Sequence, residues 1–429
     1  MAQKVLYNHN GRADTIILQP SSVDLGNVTN EAQIPKSIVT AKGDIITATG
    51  NATPARQGVG GNGQILAGDS NLANGIGYKD PAFRNWVMNG NMEVSQRGTS
   101  WTNPVSALYN VDRFSVNFSA GGGTHPNVVI SQQPITPGEL LNSYYFHRIN
   151  VDGAGSSLGN SSYYAVRTNI EYGTGLLCGL NKKITLTFYA RSSIADKKLG
   201  CFFYQYYGSG GSPSSIESIP GDHFHLTSDW QKYSVTITTN TLSGKTFGTN
   251  NDNYIIVYLI YQWGYNFRVS VNDTVAETFV GSGNIDIAQV ALYAGDVAYP
   301  FEPVPFDIEL QRCMRYYEKS YSTTIAPGTV TDSGIVSSSM TSVWYLAQIT
   351  VKYSVPKRIS SPNITIYSPY NGNSGYGSMK ASDGTYNSEK AAGGNNTSRS
   401  NNSFNIQSVN GDFSSGYRFD FHWTCDADF

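Results

Sequence analysis

Charge is scarce in this chain of 429 residues. Only 14% are Asp, Glu, Lys or Arg, and 29 basic residues against 31 acidic ones leave a net charge of −2. Basic residues cluster no more densely than Lys182-Lys183 or Lys197-Lys198. A nucleic-acid partner needs a basic stripe, so that class is excluded. No window holds 18 consecutive apolar residues, which argues against a membrane-spanning helix. The first twenty residues, MAQKVLYNHNGRADTIILQP, lack both a continuous apolar stretch and a small-residue cleavage site, so no secretory signal is expected. Cysteine is limited to Cys178, Cys201, Cys313 and Cys425, far apart and with no CxxC. They are expected as small buried hydrophobes of a chain folded in a reducing cytoplasm. Catalytic and cofactor motifs are also missing: no GxSxG elbow, HExxH or P-loop occurs.

What the chain has instead is tyrosine (29) and glycine (44), with many Ser, Thr and Asn. Tyr, Val, Ile and Thr favour strands, and Gly, Asn, Ser and Pro favour turns. An all-β protein is expected, large enough to bury a core without disulfides or metal.

Along the chain, residues 1–84 stand apart. Short apolar pieces (Ile16-Ile17-Leu18, Ile45-Ile46) alternate with turn clusters, and GDIITATGNATPARQGVGGNGQILAGDS holds too few large apolar residues to close a core. This segment is expected to pack on copies of itself or on a partner, as an attachment and shaft region. Residues 85–305 carry period-two alternation. In KITLTFYAR (183–191), Ile184, Leu186, Phe188 and Ala190 share one face. Tyr233, Val235 and Ile237 do so in WQKYSVTITT (230–239), and Ile255, Val257, Leu259 and Tyr261 in NYIIVYLIYQW (253–263). NIDIAQVALYAGD (284–296) reads as a further strand. Many short strands without long helical periods predict a jelly-roll β-sandwich. Residues 306–320 break the pattern: Leu310, Cys313, Met314 and Tyr317 form a helical stripe, with Asp307 placed to cap it. Residues 321–429 read as a second, smaller β domain with strands at 343–356, 364–369 and 417–429. The stretch 370–403, almost free of large aliphatic residues, reads as a long loop.

Candidate chemistry is sparse. GVGGNG (58–63) matches GxGxxG but lacks the βαβ setting of a dinucleotide site. His223 and His225 would share a strand face but need further ligands to hold a metal. Asn89, Asn91 and Glu93 could either hold Ca²⁺ or simply form turns. No metal site or cofactor is assigned. Sugars are held by aromatic faces and planar polar groups. Three sets offer these: Tyr189, Arg191, Tyr258 and Gln262 on outward faces of the sandwich; Tyr207, Trp263 and Tyr265 at strand ends; and Tyr370, Tyr376 and Tyr386 in the long loop. Each set could equally cover a sheet or line a subunit interface.

Several segments occur in one order along the chain: NWVMNGNMEVSQRG (85–98), YNVDRFSV (109–116), KKITLTFYARSS (182–193), Trp230, and GNIDIAQVALYAGDVAYPFEPVPFDIELQRCMRYYEKSY (283–321). In this order they resemble the receptor-binding tail fibres of tailed bacteriophages. An Asn-rich start ending in Gln-Arg-Gly there opens a carbohydrate-binding-module-like jelly roll. The end pattern is matched by Phe301-Glu302, Pro305, Glu309-Leu310, Cys313 and Arg315-Tyr316-Tyr317, and ALYAG (291–295) departs from it. DLGNVTNEAQIPKS (24–37) and residues 40–70 look like fibre attachment and shaft segments. The resemblance implies a homotrimer, assembled in the bacterial cytoplasm and attached to a tail or baseplate, and the leading expectation is a non-enzymatic virion fibre protein. Residues 1–84 would join tail or baseplate proteins, and the distal parts would bind a host surface polysaccharide. A polysaccharide depolymerase and an adaptor without a receptor are the competing expectations. Within NWVMNGNMEVSQRG, a strand–turn–strand is expected about Asn89-Gly90, with Glu93 and Arg97 fixing the junction of shaft and jelly roll.

Overall fold

The computed structural model describes residues 3–9, 12–18, 34, 36–60, 64–79, 85–279, 281–339, 348–391, 398–407 and 417–429. These fall into two compact units, Met1–Arg84 and Asn85–Phe429. The GVGGNG match runs into 61–63, the fibre-like segment 24–37 into 24–33, and the strand expected over 343–356 into 343–347, all outside the described residues.

The first unit consists of antiparallel hairpins: β1 (Gln3–His9) with β2 (Arg12–Leu18), β3 (Ile45–Gly50) with β4 (Thr53–Gln57), and β5 (Ile65–Gly68) with β6 (Ile76–Lys79). Two-stranded ribbons have no second layer to cover their apolar side chains. Ile45, Ile46, Val59, Ile65, Leu66 and Leu72 are accordingly exposed.

The second unit begins with a β-sandwich. Its strands are β7 (Ser100–Thr102), β8 (Ser115–Ser119), β9 (Val128–Pro134), β10 (Tyr145–Val151), β11 (Tyr163–Glu171), β12 (Lys183–Ser192), β13 (Lys198–Tyr206), β14 (Glu217–His225), β15 (Gln231–Thr238), β16 (Tyr254–Trp263) and β17 (Gly283–Ala294). One sheet runs β15-β12-β17-β10-β9-β7 and the other β14-β13-β16-β11-β8. The connections interleave the two sheets, which is a jelly roll. The alternating residues named above fill the space between them: Ile184, Leu186, Phe188, Ala190, Ile237, Ile255, Val257, Leu259 and Tyr261 all belong to one core, with Tyr233 and Val235 packed against it. All four cysteines are buried free thiols, and burial pushes Cys178, Cys201 and Cys425 up to about 12.

The helix expected over 306–320 is shorter. Helix α1 spans Phe306–Met314, and β18 (Tyr317–Lys319) follows at once. Pro305, not Asp307, occupies the N-cap, while Asp307 and Glu309 lie in the first turn, where the helix dipole favours negative charge. The remaining strands are β19 (Val336–Ser339), β20 (Gln348–Lys352), β21 (Asn363–Tyr367), β22 (Tyr376–Lys380), β23 (Tyr386–Ala391), β24 (Ser403–Gln407) and β25 (Arg418–Asp426). Strand β25 is the hub, pairing with β18, β19, β21 and β22. The β20–β24 pair adds Val351, Phe404 and Ile406 to a core built on Phe419, Phe421, Trp423 and Cys425.

One expectation changes here. The stretch 370–403 is not one long loop, because β22 and β23 form a hairpin inside it. The C-terminal strands keep a core of their own within the unit Asn85–Phe429.

Candidate functional site

Three of the segments that carry the resemblance, 85–98, 109–116 and 283–321, meet in one buried polar network. Within 85–98 no strand forms. Asn89 instead takes a left-handed backbone (φ 55) and is fully buried. Its amide Nδ2 donates to the carbonyls of Val94 and Asp112, both at 2.8 Å, and its Oδ1 accepts the Val94 N–H at 2.9 Å. The Asn89 N–H donates to Glu309 Oε1 at 2.8 Å. Asn85 Oδ1 accepts the N–H groups of Val87 and, from β17, Leu292. Gln96 donates twice to the Asp112 carboxylate and once to the Tyr317 carbonyl. Asn89 Oδ1 is thus taken by a backbone donor, and Asn89 ties the turn to Asp112 and Glu309.

Two buried arginines extend the network to the C-terminal strands. Arg97 Nη2 donates to Asp426 (3.0 Å) and Asp428 (2.8 Å), and its guanidinium lies 3.6 Å from the Tyr317 ring centroid. Arg113 pairs with Asp428 and stacks 3.5 Å from Tyr316. Burial pulls the Arg97 pKa down, but Asp428, Asp426 and Asp112 together hold it above the ordinary value. Arg97 therefore does fix a junction, but between sandwich and C-terminal strands. Glu93 takes no part in that pairing. Its carboxylate accepts from Asn91, and burial raises its pKa.

Four of the ten sugar candidates expected from the sequence are packed away. Tyr207, Gln262 and Trp263 are completely buried and Tyr258 is 6% exposed. Tyr207 bonds Glu217, Gln262 bonds Ser162, and Trp263 Nε1 donates to the Val275 carbonyl. Tyr258 and Trp263 are covered by a 3₁₀ segment, Tyr265–Val271, that makes a second small core with Phe202 and Ile260, while Tyr207 is covered by Phe247 and Lys245. Tyr265 is exposed on that segment, stacked under Arg268. On the other sheet, Arg191 is tied to Asp286 and Glu139 and lies over Trp230, with Tyr189 half-buried beside it. His223 and His225 share a face as expected, with ring centroids 6.1 Å apart, and His223 Nδ1 meets the Val271 carbonyl.

The third set is brought together. Tyr376, Ser378 and Lys380 share one face of β22; Tyr386 pairs opposite Lys380, and Tyr370 caps Ser378 through its backbone N–H. Tyr370 (53% exposed) and Tyr376 (41%) present their rings to solvent, and Tyr370 lies 6.0 Å from Tyr386. Polar groups surround them. Arg418 grips Asp420 through two bonds of 2.7 and 2.8 Å, and the Tyr386 hydroxyl donates to Asp332 and Asp420. Lys380 lies 4.5 Å over the Tyr386 ring. Burial, then Asp420 and Asp332, raise the Tyr386 pKa and keep it a neutral donor. Exposed rings beside fixed carboxylates and a cation suit stacking on C–H faces and bonding of hydroxyls.

Two clefts were not signalled by the sequence. One, of about 370 Å³, opens beside Phe118, His125 and Tyr164. The other, of about 410 Å³, lies between Glu93, Tyr144, Tyr145 and Pro303–Phe306. Both are assembled from segments remote in the chain, so no local motif reveals them.

No family model and no curated protein matches the chain. Solved structures do show likeness. The enzymatically active domain of tailspike protein 4 from bacteriophage CBA120 is 12% identical with a TM-score of 0.28, covering 50% of this chain and 22% of that one. The N-terminal cellulose-binding domain of Cellulomonas fimi β-1,4-glucanase C is 16% identical with a TM-score of 0.25, covering 38% of this chain and 87% of that one. The CBM22-1 xylan-binding domain of Paenibacillus barcinonensis Xyn10C is 8% identical with a TM-score of 0.23, covering 51% and 100% respectively. Likeness at this level carries no argument for function, and the jelly-roll assignment rests on the sheet topology.

Proposed function

We propose that this chain is a bacteriophage tail fibre that adsorbs, as a homotrimer, to a polysaccharide of the host cell surface. The observation that carries the glycan reading is the tyrosine face of the C-terminal sheet, where Tyr370 and Tyr386 lie together beside Asp332, Lys380 and Asp420 and Tyr376 is exposed further along β22. The fibre reading is supported by the segments of the resemblance, of which 85–98, 109–116 and 283–321 converge on one interlocked network. The exposed apolar residues of the hairpins in residues 1–84 support self-association. Three copies would turn weak sugar contacts into useful avidity. The role is one of binding, in the virion tail. Immobilised bacterial surface polysaccharides, probed with the intact chain, test this: wild type should be retained on one of them, and Tyr370→Ala/Tyr376→Ala should release it. Retention accompanied by new reducing ends would replace adsorption with depolymerisation.

A further inference from the structure

The cleft beside Glu93 lies where the chain enters its second unit. Asn85 is tied to β17 twice: its Oδ1 accepts the Leu292 N–H, and its Nδ2 donates to the Val290 carbonyl. Further on, Asn91 donates to the Asn142 carbonyl and accepts the Ser143 hydroxyl. The β9–β10 loop is thereby fastened to the entering chain. Gln289 of β17 holds the same loop through the Leu141 carbonyl, and Leu140 packs on Ile135, Phe146 and Ala288. Asn89 meanwhile holds Glu309 of helix α1, and residues 303–306, which lead into that helix, form the second wall of the cleft.

The surface so made is apolar. Leu141 and Tyr144 stand out from the loop, 78% and 75% exposed, and Phe306 is 47% exposed on the other wall. Among the described residues that line the cleft, Glu93 alone is an Asp, Glu, Lys or Arg, and burial raises its pKa. Pro303 and Pro305 have no N–H to offer water, and their fixed φ angles keep that wall preformed. Exposed apolar side chains normally occur singly. Gathered about a cleft of about 410 Å³, they mark a contact surface.

Chain connectivity and shape together name the occupant. Lys79 ends β6, and Asn85 follows after six peptide steps, a reach of at most about 20 Å. The β5–β6 hairpin exposes Ile65 and Leu66, through which copies are expected to associate. Copies joined there begin their second units close together, each with this face beside its entry point. A cyclic assembly of three needs two different patches that fit each other. This face carries both, a protruding loop and an apolar cleft, so each copy can offer the loop to one neighbour and the cleft to the other.

We infer that this face is where residues 85–429 of one copy meet those of the next, with the 141–145 loop of one copy seated against residues 303–306 of its neighbour. The inference rests on the homotrimer of the proposed function and adds a contact outside the hairpins. One loop in one cleft is smaller than a free-standing interface. It closes because the hairpins hold the copies at high effective concentration. Its consequence is a fixed spacing between the three tyrosine faces.

The test places the photoreactive residue p-benzoylphenylalanine at position 141 of the intact chain, and in a control at position 269, where Val269 is exposed on the 3₁₀ segment packed on the opposite sheet. Irradiation of the first protein should give covalent dimers and trimers whose cross-linked peptides contain residues 303–306, and the control should stay uncoupled. Adding Tyr144→Asp/Phe306→Asp should lower the yield at least about tenfold, because an unpaired charge is costly to bury, while sedimentation still shows a trimer and Tm is unchanged. A sedimenting trimer that gives no interchain cross-link from position 141, couples elsewhere than 303–306, couples equally from position 269, or keeps its yield in the Asp variant would overturn the contact and leave the homotrimer standing. A wild-type monomer would overturn both.

Discussion

Asn89 and Gly90 show how much structure two residues can set. The Asn89 side chain closes a turn that would otherwise leave buried backbone groups unpaired, and its own N–H reaches Glu309 on helix α1. A Cβ on Gly90 would stand 2.0 Å from the Val290 carbonyl oxygen. Gly90→Ala must therefore push the turn off β17, and is expected to cost about 1–3 kcal/mol, as overpacking does, read as a lower denaturation midpoint. His147 gives a pH prediction. It is fully buried, and burial lowers its pKa to about 3 from the ordinary 6.5. Between these values the unfolded chain binds a proton that the folded chain refuses. Stability is thus unaffected above about pH 6.5 and falls as pH drops toward 3, at on the order of 1 kcal/mol per unit. His147→Gln should flatten this part of the Tm-against-pH curve, and an unchanged slope would assign the acid sensitivity elsewhere. These roles were not legible beforehand. The Asn-Gly pair reads as a hairpin turn until its partners, more than 200 positions away, are known.

At the scale of elements, the long alternating strands were legible because one face of each meets a single core. Strands β12, β15, β16 and β17 lie within a residue or two of their expected limits. The β22–β23 hairpin was not legible. Its core-facing position 377 is glycine, because the Phe419 ring fills the space a side chain would need, so the alternation carries no aliphatic signal. The burial of Tyr258 and Trp263 was hidden for a related reason. An outward strand face looks like a surface until the chain returns, as Tyr265–Val271 does, to cover it. The joint between the sandwich and β25 rests on Asp428, which serves both Arg97 and Arg113. Removing one partner of a buried ion pair leaves the other uncompensated. Asp428→Ala should destabilise residues 85–429 by about 3–5 kcal/mol, with β25 losing hydrogen-exchange protection first. Protection lost only in β1–β6 would contradict the assignment.

For the whole molecule, two properties divide the chain. Residues 85–429 own their cores, whereas the described hairpins of residues 1–84 expose Ile45, Ile46, Ile65 and Leu66. Association of copies through these residues would bury that surface. The intact chain is expected to sediment as a trimer, and Ile45→Ser/Ile46→Ser/Ile65→Ser/Leu66→Ser as a monomer with the same folded core. A wild-type monomer would remove the avidity on which the fibre reading depends. The central claim, that the C-terminal tyrosine face holds a host glycan, is tested most directly by retention of the intact chain on a panel of immobilised bacterial surface polysaccharides. The account predicts that at least one polysaccharide retains the wild type, and that Tyr370→Ala/Tyr376→Ala lowers retention at least tenfold (about 1.4 kcal/mol) with Tm unchanged. Equal retention of that variant, or no retention of wild type on any surface, would contradict it.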